Sequence, residues 1–108
     1  MKRLLLILSI MLLSATALFA QEKPYMVAFW NFENLFDIYD DPETHDEEFL
    51  PEGVKKWNEI KYQKKLTNME RVLFDIAAIQ KDYPIVIGVS EIENRSVLED
   101  LVSQPKLK

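Results

Sequence analysis

Two short, almost unbroken apolar runs, each stopping at a knot of polar side chains, constrain this chain more than anything else in it. Tyr25 to Trp30 (YMVAFW) gives way to Asn31 and Glu33 around Phe32, and Ile85-Val86-Ile87-Gly88-Val89, opened by Pro84, gives way to Ser90, Glu91 and Glu93. Continuous β-branched and aromatic runs of this kind predict strands buried on both faces. Between them Leu66, Met69, Val72, Leu73, Ile76 and Ile79 recur at three- and four-residue steps, with Lys64, Lys65, Glu70, Arg71 and Asp75 on the opposite side. That spacing predicts an amphipathic helix. It starts near Asn58 and ends before Pro84, because the residue preceding a proline is pushed out of the helical region. After the second strand Asn94 stands at an N-cap, Val97, Leu98, Leu101 and Val102 supply an apolar face, and Pro105 ends the helix.

The order is therefore strand, loop, helix, strand, helix. It belongs to the α/β class, with neighbouring parallel strands joined by a right-handed crossover. Ligands of open α/β sheets bind beyond the carboxyl ends of the strands. Asn31 and Glu33 are thus expected to face Glu91 and Glu93 across one rim. The stretch from Asp37 to Lys56 holds Pro42, Pro51, Gly53 and the acidic run Asp40, Asp41, Glu43, Asp46, Glu47 and Glu48, which predicts a long loop over or beside that rim. Two strands are too few for a sheet buried on both faces, so the chain is expected to be part of a larger domain.

The beginning of the chain carries an address. Lys2 and Arg3 precede an apolar run from Leu4 to Leu13, and small residues follow up to Ala20. This is the pattern of a secretory signal peptide, with cleavage after Ala17 or Ala20, the second favoured. The run is interrupted by Ser9 and is shorter than the roughly 20 residues a membrane span needs. The expected organisation is a signal peptide over 1–20 and a domain portion over 21–108, delivered to a periplasm or the exterior without a stable membrane anchor. No Cys occurs among the 108 residues, which excludes a lipoprotein anchor, disulfides, a thiolate nucleophile and zinc-thiolate chemistry. Without Lys2 and Arg3 the 13 basic residues fall to 11 against 18 acidic ones, a formal charge of −7. Such a surface disfavours avid non-specific binding of phosphate backbones and favours recruitment of cations.

Hard divalent cations want oxygen ligands, and Mg²⁺ commonly takes one or two carboxylates while keeping waters and phosphate oxygens. Glu91 with Asn31 nearby is enough to hold it. Glu33 is a weaker candidate, and Glu93 and Asn94 read as helix-start residues. The single His45 lies in the acidic loop and outside any motif, so it is read as a solvated side chain. The acidic run lacks the spacing of an EF-hand, and Lys61, Lys64 and Lys65 read as a solvated helix face. With only Gly53 and Gly88, neither a phosphate-cradling loop nor a nucleophile elbow is available.

The segments Phe29-Trp30-Asn31-Phe32-Glu33-Asn34-Leu35-Phe36-Asp37 and Gly88-Val89-Ser90-Glu91-Ile92-Glu93-Asn94 resemble the first two motifs of the endonuclease/exonuclease/phosphatase family, with its deoxyribonuclease-I-like fold. The stretch Trp57 to Leu73, with Tyr62, Lys65 and Asn68, is similar to the first helix of its secreted bacterial members. The resemblance implies the amino-terminal part of a four-layer α/β sandwich that hydrolyses phosphate esters. It implies a metal role for Glu91, and a combined catalytic and metal role for Asn31. The implied cofactor is Mg²⁺, with Mn²⁺ or Ca²⁺ as alternatives. The implied partner is a phosphate-ester substrate met by a monomer; nucleic acid is favoured over an inositol phosphate or a phospholipid head group. The family's later motifs, Gly-Asp-x-Asn and Ser-Asp-His, have no counterpart, so these 108 residues are expected to be inactive alone. The rival readings are a non-catalytic exported binding module on the same scaffold and a nonfunctional truncated product.

Overall fold

The computed structural model describes Met1, Ile7 and residues 24–108. Apart from Met1 and Ile7, the expected signal peptide, with both cleavage positions, lies outside the described residues. Two strands, β1 (Val27–Leu35) and β2 (Val86–Ile92), and two helices, α1 (Glu59–Gln80) and α2 (Arg95–Val102), follow one another as β1, α1, β2, α2, with a single 3₁₀ turn at Glu47–Phe49. The strands pair in parallel, Val27 with Val86 through Asn31 with Ser90. The α/β class holds, and both strands run further than their apolar stretches into the polar residues.

Local chemistry explains the helix limits. Asn58, in an extended conformation, accepts the Lys61 N–H at 3.1 Å and caps α1, while Lys81 ends it in the left-handed region. Asn94 caps α2 in the same manner through Val97 N–H. An Asn in these positions satisfies one of the amide groups that the first helical turn leaves unpaired. Among the described residues no helix is long and apolar enough to cross a membrane.

The core lies between one face of the sheet and the helices. Phe32, Leu35, Tyr62, Leu66, Met69, Leu73, Val97 and Leu101 are buried there, with Trp30, Ile87, Val89 and Ile92 packed around them. The opposite face is bare: Val27, Phe29 and Val86 are exposed. The expectation of strands covered on both faces is corrected accordingly, because among the described residues the helices reach only one side. On the bare face the Phe29 ring lies over Gly88, its cross-strand partner, where an added Cβ would come within 2.6 Å of the ring.

Two further expectations for α1 change. Val72 and Ile79 are exposed, since a two-stranded sheet is too narrow to meet the whole apolar stripe. Glu70, assigned to the solvent side, is buried and accepts the Lys106 backbone N–H at 2.6 Å. Tyr83 Oη donates to Lys106 O at 2.7 Å, so the segment after α2 is tied back to the middle of α1 and to the turn that follows it.

Candidate active site

Regular pairing stops at Asn31, and there the polar side chains gather. Glu33 and Asn34 have φ of 51° and 62°. A non-glycine residue in the left-handed region costs roughly 1–2 kcal/mol, somewhat less for Asn. The next paired residues after Asn31 and Ser90 are Leu35 and Ile92, so β1 takes four steps where β2 takes two. This is a bulge at the rim of the sheet. Across from it Glu91 has φ 55°. Backbone strain concentrated at one point is typical of sites that must aim side chains.

The bulge is held from two sides. Asn31 Oδ1 accepts the Glu33 N–H at 2.8 Å, which turns the Asn31 amide so that Nδ2 donates to Glu91 Oε1, also at 2.8 Å. From α1, Lys65 Nζ donates to Glu33 O at 2.6 Å and to Asn34 O at 3.0 Å. Lys65 sits 5.9 Å from the centre of the Trp57 ring. Its burial pulls it below the usual lysine range, while the Glu33 and Glu91 carboxylates pull the other way. Trp57 in turn donates from Nε1 to Phe36 O at 2.9 Å. A cleft of about 480 Å³ opens between β1 and α1, lined among others by Asn31, Glu33, Trp57, Lys61, Lys65 and Asn68.

A second polar cluster anchors the loop that leaves β1. Glu93 Oε2 accepts the Asp37 N–H at 2.9 Å, and Asn94 Nδ2 donates to Asp37 Oδ2 at 3.2 Å. Asp46 is buried; its Oδ2 accepts the Asp41 N–H and its Oδ1 has no donor. The Glu93 carboxyl is pushed up to about 7, first by burial and then by the Asp37 and Asp46 carboxylates, against a lowering from the Asp37 N–H. The loop is further ordered by stacking of Phe36 on Phe49, centroids 4.2 Å apart, and by Lys55 over the Phe49 ring at 3.9 Å.

The rim therefore unites Asn31 with Glu91 but separates them from Glu93, which faces Asp37 instead of Glu33. Glu33 contributes its backbone, its side chain being exposed. His45 is fully exposed, 4.0 Å from Glu47. Lys61 binds Lys55 O at 2.7 Å and Lys64 lies at the surface. The reading of Lys65 as part of a solvated face is corrected by its two bonds to the bulge. Nothing in the helical spacing signals it, because the carbonyls it meets belong to residues more than 30 positions earlier.

Among the described residues no group of three or more acidic or histidine side chains is arranged to hold a metal ion. At the rim the exposed Glu91 carboxylate is oriented by the Asn31 amide, which engages its Oε1. That donor set fits a hard cation that completes its shell with water and phosphate oxygens. Comparison with known proteins adds one finding: the model of the endonuclease/exonuclease/phosphatase family matches residues 26–108. No curated protein and no solved structure matches the chain.

Proposed function

The chain belongs to the endonuclease/exonuclease/phosphatase family, and from that premise we propose that it serves an exported, divalent-metal-dependent phosphoesterase whose favoured substrate is nucleic acid. The observation that carries the reading is the 2.8 Å bond from Asn31 Nδ2 to Glu91 Oε1, made where two parallel strands end side by side. Glu91 holds the cation, Mg²⁺ by the hardness of its oxygen donors. Once bound, such an ion polarises a phosphoryl oxygen as a Lewis acid. Asn31 keeps the Glu91 carboxylate aimed through one amide N–H and presents the other to the same space, where it donates to a phosphate oxygen. Lys61 along the adjoining cleft offsets part of the chain's negative charge as a polyanion approaches.

Titration with Mn²⁺, followed by the loss of the free-ion electron paramagnetic signal, tests the assignment. Glu91→Gln is expected to weaken binding at least tenfold, and the same change in a protein that carries this segment and cleaves DNA is expected to abolish cleavage. Wild-type affinity and rate in Glu91→Gln would remove Glu91 from the mechanism.

A further inference from the structure

The Asn31–Glu91 contact depends on a strained piece of backbone, and that backbone has an outside support. Glu33 and Asn34 occupy consecutive left-handed conformations, so their carbonyls leave the strand ladder and turn toward α1. There both meet one ammonium group, Lys65 Nζ, at 2.6 and 3.0 Å. The amide side of the same bulge is held by Asn31 Oδ1 through Glu33 N–H. Asn31 can turn Nδ2 to Glu91 only while that N–H stays in place. Lys65 is itself fixed, being half-buried beside Trp57 within the wall formed by the helix.

We infer that Lys65 is a positioning residue: by binding the carbonyls of Glu33 and Asn34 it locks the β1 bulge that aims Asn31 at Glu91. The inference rests on the reading of Asn31 and Glu91 as the site. It differs from a substrate role, since Lys65 acts through the backbone of β1. A lysine suits the position because its ammonium carries three donors on one nitrogen at the end of a flexible stem.

The test uses the full chain, with two readouts. The first is the ¹H–¹⁵N signal of the Asn31 side-chain amide, compared with its position in Glu91→Gln; the second is Mn²⁺ affinity. Lys65→Met is expected to move the Asn31 amide toward its Glu91→Gln position and to weaken Mn²⁺ binding about tenfold, the scale seen when a ligand loses its orienting partner. Adding Asn34→Gly, which eases the left-handed backbone without the lysine, is expected to restore most of both. Tyr62→Phe, which removes the Tyr62–Asp100 bond from the same helix, is expected to change neither. Should Lys65→Met fail to fold, Lys65→Gln, which retains a side-chain donor, is expected to give an intermediate shift. A folded Lys65 variant with the wild-type Asn31 signal overturns the inference. If Glu91→Gln binds Mn²⁺ normally, the metal reading falls by itself, and the Asn31 signal still decides the role of Lys65.

Discussion

The two halves of β1 follow different rules. From Val27 to Asn31 the strand keeps strict parallel register with β2, and its even-numbered residues turn to the core while the odd ones stand bare. From Glu33 to Leu35 the register slips, two residues enter the left-handed region, and side-chain donors replace the ladder in holding the backbone. The first half is set by hydrophobic pattern and neighbouring backbone. The second is set by three side chains, Asn31, Lys65 and Glu91, drawn from three elements. Regular structure is used to bring the rim to a fixed place, and irregular structure is confined to the few residues that aim its polar groups.

The largest expected effect comes from removing what the halves share. Leu66 is fully buried in the core with Phe32 and Leu35. Leu66→Ala is expected to cost about 2–5 kcal/mol in chemical denaturation and to abolish metal binding with it. Retained Mn²⁺ affinity in that variant would mean that the rim is organised independently of the core.

Glycine sharpens the contrast. Across from the regular half, Gly88→Ala on β2 forces the Phe29 ring aside; the ring is exposed and can swing, so a loss of about 1 kcal/mol is expected. In the irregular half, Asn34→Gly relieves a positive φ and is expected to change stability by only a few tenths of a kcal/mol, with unfolded-chain entropy opposing the relief. Comparable losses at both positions in urea denaturation would erase the distinction.

The smallest effect is expected from pH. Glu93 rises to about 7 in the folded chain from an ordinary value near 4.5, so between those values the folded state binds the extra proton. Its contribution is fully present below pH 4.5 and is lost as pH rises through about 7. Glu93 is partly exposed and solvent screens much of the effect, so a fall in Tm on the order of 2 °C is expected across that window, and Glu93→Gln is expected to remove it. An unchanged pH profile in Glu93→Gln would place the titrating group elsewhere.

Sequence reasoning reached what depends on local pattern. The apolar runs located both strands, and Asn58 and Asn94 marked both helix starts because a cap is a property of a few adjacent residues. Parallel neighbours also brought Asn31 and Glu91 to one rim. The bulge was not legible, since Glu is an unfavourable residue for left-handed backbone and gives no warning at positions 33 and 91. Lys65 and Glu70 sit in the helical pattern as ordinary charged residues, and their partners, the carbonyls of Glu33 and Asn34 and the N–H of Lys106, are more than 30 residues away. Exposure of Phe29, Val86 and Ile79 likewise follows from how many elements surround the sheet, which no local pattern records.

The most direct measurement is paramagnetic broadening by substoichiometric Mn²⁺ in the ¹H–¹⁵N spectrum of the chain. Glu91 as the cation ligand requires the Asn31 side-chain amide to broaden among the first signals, and that broadening to vanish in Glu91→Gln. Broadening centred on Asp40 to Glu48, with the Asn31 amide left sharp, would contradict the assignment.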